Sequence, residues 1–338
     1  MLKTVVMSGA LLAVGVVCLL GLPVSLLLRR VRALCLPSAE AAPDTDAQKP
    51  AGAPAPLLGG LVLWVGVGFA LLSAYLLADA ALVAGGYTGG WCMVATLLGC
   101  ALLFGLIGLL DDCVRVARHG KRLPAAARLG LQLAVAAVFL AQLALNGTLS
   151  TLVCLPGFGW VDLGWGYYVF SAVLILAIVN AMDAAAPADG LCAGVGFVAA
   201  LTFLILAMLL LEMDVPGDRF VTALFGAATA GGCVGFLLWS FPPARLAAGS
   251  TVGMFLAGAM VAMAWGLGRP ELLVLVGIAA LCDLLAALLP ADGRPLGGVP
   301  MHRRLQRSGW SGAATVGLFC GLGCLGSLLA VLAVFLYG

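Results

Sequence analysis

Charged residues are scarce in this sequence. Only 9% of its 338 residues are Asp, Glu, Lys or Arg, whereas 63% are hydrophobic. Because soluble domains usually carry about 25% charged residues, this composition excludes a soluble protein and predicts a polytopic membrane protein. The formal net charge is only +2, so the sequence gives no reason to expect nucleic acid as a partner.

Cysteine patterns typical of metal sites are also missing. The 11 cysteines are scattered through apolar segments, and no two of them form a Cys-x-x-Cys pair. We therefore interpret them as small apolar packing residues rather than as disulfides or metal ligands.

Long apolar runs are what the sequence does contain. Runs long enough to span a bilayer lie near residues 4–28, 57–78, 91–110, 129–146, 166–182, 190–211, 221–240, 252–267, 271–290 and 311–336. They predict an all-α, polytopic integral membrane protein with about ten transmembrane helices, forming one transmembrane domain over residues 1–338. The stretch 36–56 is rich in Pro and Ala, which predicts a flexible cytoplasmic linker.

Basic residues are distributed unevenly between the loops. If the N-terminus lies outside, all but three of the 17 Lys and Arg residues fall on the inner side, and the three exceptions are Lys3, Arg219 and Arg269. This asymmetry follows the positive-inside rule. It predicts a multi-pass protein of the plasma (inner) membrane with both termini outside.

Two adjacent aspartates, Asp111 and Asp112, stand at the end of the third apolar run. A carboxylate at hydrocarbon depth costs on the order of 3 kcal/mol or more, and the C-terminal end of a helix disfavours negative charge. The pair therefore requires nearby cations, and the sequence places it beside the most basic inner loop.

Other polar residues fall on the same predicted inner face. Each of them alone has an ordinary explanation as a loop carboxylate, an interhelical contact or a positive-inside anchor, but together they combine carboxylates with Arg, His and Asn. Carboxylates and substrate phosphates suit Mg²⁺, and Arg suits phosphate oxygens. This composition predicts phosphate chemistry on a lipid substrate. The residues are Asn180, Asp183, Asp189, Arg245, Ser250, Asp283, His302, Arg303 and Arg304.

Five segments carry a family resemblance. They are Pro56-Leu57-Leu58-Gly59-Gly60, Gly108-Leu109-Leu110-Asp111-Asp112, Asn180-Ala181 with Asp189-Gly190-Leu191-Cys192-Ala193-Gly194, Phe241-Pro242-Pro243-Ala244-Arg245, and Asp283 with Gly293-Arg294-Pro295 and His302-Arg303-Arg304-Leu305. Taken together, they resemble the motifs of the polyprenyl-phosphate N-acetylhexosamine-1-phosphate transferases, glycosyl transferase family four. About ten helices with both termini outside also fit that family.

The resemblance implies a reaction at the cytoplasmic face. The phosphate of a polyprenyl phosphate attacks the β-phosphate of a UDP-N-acetylhexosamine and UMP leaves, as the first step of a cell-envelope glycan. It implies Mg²⁺ as cofactor, held by Asp112 and Asp183, and catalytic roles for Asp111 and Asp112. The implied substrate-binding residues are Asn180, Asp189, Arg245, His302, Arg303 and Arg304. A homodimer is left open.

Three departures from the family pattern leave alternatives open. Ala186 stands where the family has a metal-binding Asp, Ser250 follows Gly249 where Asp is usual, and the segment before His302 is shortened. In one interpretation Asp183, one helical turn before Ala186, supplies the missing carboxylate. In another, the chain is a degenerate member that binds polyprenyl phosphate or a partner without transfer. A secondary transporter is a third alternative, although the sequence lacks its two related halves.

Overall fold

The computed structural model describes residues 2–30, 59–84, 90–118, 120–155, 159–211, 218–289 and 298–337. The predicted linker 36–56, the first part of the Pro56–Gly60 motif and Arg294 lie outside these ranges. The elements in chain order are α1 (Leu2–Arg30), α2 (Gly60–Ala84), α3 (Gly90–Ala117), α4 (Ala125–Leu145), β1 (Leu152–Leu155), β2 (Gly159–Asp162), α5 (Gly166–Ala185), α6 (Leu191–Leu211), α7 (Asp218–Ser240), α8 (Gly249–Gly266), α9 (Leu272–Val276), α10 (Ile278–Leu288), α11 (Met301–Arg307) and α12 (Gly312–Tyr337).

Within these ranges, nine helices contain stretches long and apolar enough to cross a membrane, namely α1 to α8 and α12. They correspond to nine of the ten predicted runs, and they confirm an all-α polytopic membrane protein. Because the bilayer core offers no water to backbone N–H and C=O groups, apolar segments of this kind cross it as helices, in which the backbone hydrogen bonds are internal.

The tenth predicted run, 271–290, differs from the prediction. It divides at Gly277 into the short helices α9 and α10. A Cβ atom at Gly277 would collide with the side chain of Ile178 on α5 and would lie 2.8 Å from the carbonyl oxygen of Leu273. The close approach of α5 therefore requires glycine at the point where the helix is interrupted.

A short antiparallel hairpin in the loop between α4 and α5 is an addition to the predicted fold. Strands β1 and β2 pair with Val153 opposite Val161 and Cys154 opposite Trp160. The ring of Trp160 lies under the guanidinium of Arg269, with 4.5 Å between the guanidinium carbon and the ring centroid. Contacts of this kind contribute from about 0.5 kcal/mol at exposed sites to about 2 kcal/mol when desolvated. Arg269 is buried, and the contact holds the hairpin against the loop that follows α8.

Helix α8 forms the centre of the bundle, and all 18 of its residues are buried. Small residues let its neighbours approach closely, as is common between membrane helices. A Cβ atom at Gly258 would lie 2.9 Å from Cα of Ala101 on α3, and one at Gly253 would lie 2.8 Å from the carbonyl oxygen of Met182 on α5. The N-terminal end of α8 is thereby brought to the Asp111–Asp112 pair of α3.

Candidate functional site

Asp112 caps the N-terminal end of α8. Its Oδ1 accepts the backbone N–H of Ser250 at 3.1 Å, and its Oδ2 accepts the backbone N–H of Thr251 at 2.8 Å and the Thr251 hydroxyl at 2.6 Å. The first N–H groups of a helix have no partner inside the helix, and its dipole favours a negative charge there. The side chain of Asp112 therefore supplies from α3 the cap that α8 lacks.

Two glycines make this arrangement possible. Gly249 has a φ of +60°, and a Cβ atom there would lie 2.5 Å from Oδ2 of Asp112. A Cβ atom at Gly108, one turn before Asp112, would collide with the carbonyl group of Ser250. Both positions accordingly admit only glycine without displacing α3 from α8.

Asp111 is bound by the basic loop that follows α3. Its Oδ2 accepts the Nε–H of Arg122 at 2.7 Å and the hydroxyl of Ser250 at 3.1 Å, while Oδ1 accepts the backbone N–H of Leu123 at 2.9 Å. Helix α3 continues to Ala117, so the pair lies nearly two turns before the helix end rather than at the end, as the sequence predicted. The loop folds back to supply the cation that a buried carboxylate requires.

Asp183 joins the same group from the end of α5. Nη2 of Arg122 donates to its two carboxylate oxygens at 2.8 and 2.9 Å, and Nη1 of Arg128 donates to Oδ2 at 3.1 Å. Nη2 of Arg122 also contacts the hydroxyl of Ser250. We call Asp111, Asp112, Asp183, Arg122 and Arg128 the aspartate–arginine cluster.

The electrostatics of the cluster are set by Arg122. Burial alone lowers the pKa of Arg122, but the carboxylates of Asp183 and Asp111 outweigh burial and raise the pKa above its ordinary value. The guanidinium is therefore permanently charged. Its fork of donors satisfies two carboxylates from different helices at once, which a lysine could not do with the same geometry.

A second pair lies nearby, between α10 and α11. Oδ1 of Asp283 accepts the backbone N–H of His302 at 2.9 Å, and Oδ2 lies 2.8 Å from Nδ1 of the same residue. Both side chains are buried. A carboxylate at Nδ1 fixes the orientation of the imidazole and its tautomer, so Asp283 positions His302 at the start of α11.

Additional arginines surround these two groups. Loss of hydration, followed by the charges of Arg307 and Arg115, lowers the pKa of Arg303. The mutual repulsion shows that positive charges from α3 and α11 converge here. Arg304 serves a different purpose, because its Nε and Nη2 donate to the carbonyl oxygens of Val299 at 2.7 Å and Ala286 at 3.0 Å, which ties α11 to α10.

The remaining residues predicted to bind substrate lie apart from the cluster. The amide of Asn180 points toward α4 and donates to Oε1 of Gln132 at 2.9 Å and to the carbonyl oxygen of Leu176 at 2.8 Å. Asp189 and Arg245 are exposed on neighbouring loops, and Oδ2 of Asp189 accepts the N–H of Ala244 at 3.4 Å. Their substrate-binding roles stay predictions.

The Mg²⁺ site implied by the family resemblance does not fit these residues. Every carboxylate oxygen of Asp111, Asp112 and Asp183 already accepts a hydrogen bond from a protein donor, and Ala186 has no side-chain oxygen. Across the described ranges, no three or more His, Cys, Asp or Glu side chains are grouped so as to hold a metal ion. A metal ion bound between these carboxylates would lie beside the guanidinium groups of Arg122 and Arg128, whose positive charges oppose its binding.

Sequence reasoning missed the partners that organise the cluster. Arg122 and Arg128 appear in the sequence only as members of a basic inner loop, and Thr251 as one polar residue of an apolar helix. The sequence did indicate that the buried Asp111 needs a cation. It did not indicate which one, because Arg122 is eleven residues away and nothing in the spacing distinguishes it from Arg115, Arg118 or Lys121.

Comparisons with known proteins agree with the motifs. The family model of glycosyl transferase family 4 matches residues 94–267, a range that contains the whole aspartate–arginine cluster. The phospho-N-acetylmuramoyl-pentapeptide-transferase of Heliobacterium modesticaldum is 32% identical over 295 residues, which cover 84% of each chain. Enzymes of the same name from Shouchella clausii and Desulforudis audaxviator are 31% and 32% identical, over 84% and 82% of this chain and 84% and 83% of theirs. The chain therefore belongs to glycosyl transferase family 4 and is a multi-pass membrane transferase of that family.

Proposed function

We propose that this protein transfers an N-acetylhexosamine 1-phosphate from a UDP-sugar to a polyprenyl phosphate at the cytoplasmic face of the plasma membrane. A phosphate oxygen of the lipid forms a bond to the β-phosphorus of the UDP-sugar. The bond from that phosphorus to the oxygen bridging to the α-phosphate breaks, and UMP leaves. The names of the relatives, which are phospho-N-acetylmuramoyl-pentapeptide-transferases, support this reaction class and a place in cell-wall synthesis.

The proposal rests on a group of arginines from α3, its following loop and α11. Loss of hydration, and then the charges of Arg307, Arg115 and Arg122, lower the pKa of Arg303, so these side chains lie close enough to act on one another. Arginine binds phosphate oxygens through paired, charge-assisted hydrogen bonds. A site of this kind at the end of the membrane helices is accessible both to a lipid phosphate and to a nucleotide in water.

The exposed arginines and the buried aspartates contribute to the proposed reaction in different ways. Arg303 is exposed, so it can contact the diphosphate directly, with Arg115 and Arg307 adding positive potential. Asp283 holds the buried His302 in place at the start of α11, next to Arg303. The buried Asp111 and Asp112 fix the positions of the loop and of α8, and they remain candidates for assisting the attacking phosphate.

The test is UMP release by the purified full chain in detergent. Polyprenyl phosphate is supplied with UDP-N-acetylhexosamines, including the N-acetylmuramoyl-pentapeptide form. We expect release from at least one donor. Arg303→Gln should raise KM for that donor more than it lowers kcat, whereas the exposed Arg118→Gln should change neither. Absence of UMP from every donor, with folded protein, would contradict the proposal.

A second candidate is a member of the family that binds polyprenyl phosphate or a partner without transferring a sugar phosphate. It is favoured by Ala186 and Ser250, neither of which offers a carboxylate. The same experiment separates the two, since this candidate predicts saturable binding of polyprenyl phosphate with no UMP release.

A further inference from the structure

We propose that the guanidinium of Arg122 is the built-in counter-charge of the aspartates in this protein, and that it occupies the position which a divalent cation would otherwise fill. Arg122 reaches three elements at once. It donates to Asp111 of α3 at 2.7 Å and to Asp183 of α5 at 2.8 Å, and it contacts Ser250 of α8. No other side chain in the described ranges bridges these three helices in this way.

Of the two positions that lack a carboxylate, Ser250 contacts this guanidinium and Ala186 follows its partner Asp183 by one helical turn. The hydroxyl of Ser250 touches Nη2 of Arg122 and donates to Asp111 at 3.1 Å. Ala186 lies three residues after Asp183, and its Cβ lies 3.1 Å from a Cβ built at Gly253. With a carboxylate at both positions, the cluster would carry two more negative charges. Without those two charges, the cluster needs less positive charge to balance its carboxylates, and Arg122 and Arg128 supply it.

The charge balance of the cluster supports the same inference. Asp111 and Asp183 are paired with Arg122 and Arg128, and Asp112 accepts hydrogen bonds from the N-terminal end of α8, whose dipole favours a negative charge. Buried charges are stable only when they are paired and hydrogen-bonded, and here each carboxylate oxygen is satisfied. A Mg²⁺ ion added to this group would face two guanidinium groups, which oppose its binding.

The consequence for catalysis rests on the proposed function. If the aspartates are neutralised by Arg122, UMP release does not depend on an added divalent cation, and the same rate is expected in EDTA and in Mg²⁺. The phosphates of the substrate are then neutralised by the outer arginines, such as Arg303, rather than through the aspartates.

The experiment compares the full chain in detergent with Arg122→Gln and with Arg118→Gln, which removes the same charge from an exposed position of the same loop. Mn²⁺ binding is followed by electron paramagnetic resonance, and thermal unfolding is followed in EDTA and in Mg²⁺, both without substrate. We expect no stoichiometric Mn²⁺ binding by the wild type or by Arg118→Gln, and the same Tm in both media.

Arg122→Gln should behave differently. It leaves Asp111 and Asp183 short of a counter-charge, so its Tm in EDTA should fall by several degrees. Mg²⁺ should restore part of that loss, and Mn²⁺ should bind. Arg122→Lys keeps the charge without the fork and is expected to bind no Mn²⁺.

The result that overturns the inference is stoichiometric Mn²⁺ binding by the wild type, with a Tm raised by Mg²⁺. This outcome is decided on the wild type alone, even if Arg122→Gln does not fold. UMP release measured on the same samples separates the two proposals. Absence of release removes the proposed function and leaves the metal result standing, whereas release only with Mg²⁺ removes the counter-charge inference and leaves the proposed function standing.

Discussion

At the scale of single residues, the two adjacent aspartates of α3 have different roles. Asp112 accepts three hydrogen bonds from the first turn of α8, while Asp111 is bound by the loop through Arg122 and Leu123. Consecutive residues on a helix point about 100° apart, so two side chains next to each other in sequence can serve two different neighbours. Both are fully buried, and the loss of any one partner leaves a charge without compensation.

Replacing Thr251 by Val tests the capping role of Asp112. The substitution keeps the shape but removes the hydroxyl that donates to Oδ2 at 2.6 Å. Since a hydrogen bond to a charged group contributes about 1.5–3 kcal/mol, we expect the free energy of unfolding to fall by about that amount. Chemical denaturation in detergent measures it.

Thr229→Val is the matched control for that substitution. Thr229 is also buried, on α7, but its hydroxyl has no hydrogen-bond partner within the described residues. The free energy of unfolding should stay the same or rise. Equal losses for the two variants would mean that the Thr251 hydroxyl contributes nothing specific to the cap.

Replacing Ala186 by Asp tests whether the missing carboxylate at this one position prevents metal binding and limits UMP release. Ala186 lies one turn after Asp183 and beside α8, so the new carboxylate should compete for Arg122 and Arg128 and open the cluster to a metal. We expect Mn²⁺ binding to appear and UMP release to become faster in Mg²⁺. Ala184→Asp, two residues earlier and on another face of α5, should do neither. If Ala186→Asp folds and changes nothing, loss at this one position is not the explanation.

At the scale of elements, the contact between α3 and α8 determines the geometry of the site. The two helices approach through glycines, and Gly108 lies directly against the backbone of Ser250. Because lipid gives no hydrophobic driving force between helices, van der Waals contact at small residues and hydrogen bonds hold such helices together. The same contact places Asp112 on the first turn of α8.

A methyl group added at Gly108 should therefore separate the two helices. Overpacking of this kind costs about 1–3 kcal/mol, and Gly108→Ala should lose further stability because the cap of α8 moves away from Asp112. Gly99→Ala is the control on the same helix, where no atom lies within 4 Å of the added Cβ. It should be neutral or stabilising by up to about 1 kcal/mol. Similar Tm values for both variants would contradict the close α3–α8 contact.

At the scale of the whole molecule, the polar groups gather at one end of an otherwise apolar bundle. The aspartate–arginine cluster and the Asp283–His302 pair lie where α3, α5, α7 and α10 end and α8 begins, as expected when successive spans alternate in direction. This separation suits a reaction between a lipid phosphate and a soluble nucleotide. The uneven distribution of Lys and Arg predicts that this end faces the cytoplasm.

Reporter fusions test the orientation. Alkaline phosphatase, which is active only outside the cytoplasm, should be active when fused after Tyr337 at the end of α12 and inactive when fused after Ser308 in the preceding loop. Green fluorescent protein fused at the same two positions should give the reverse pattern. Phosphatase activity at Ser308 and none at Tyr337 would mean that the site faces outward and that the positive-inside interpretation is wrong.

Much of the fold was predictable because one physical constraint dominates in lipid. Apolar runs of spanning length must be helices, and nine of the ten predicted runs contain a long helix. The break at Gly277 was not predictable, since the side chain that packs against this glycine belongs to Ile178 of α5, which is far away in the sequence. The hairpin at Leu152–Asp162 was missed because its short strands lie in a loop whose polar and apolar residues show little periodicity.

The sequence by itself determined the fold class and the family, and it predicted the end of the bundle at which the polar residues gather, because hydropathy, charge asymmetry and linear motifs are properties of the chain alone. Only the tertiary structure decided which cation accompanies Asp111 and Asp183 and what Asp112 holds in place. Arg122 is eleven residues from Asp111 and 61 from Asp183. Contacts over such distances exist only once the loop has folded back onto the ends of α3, α5 and α8.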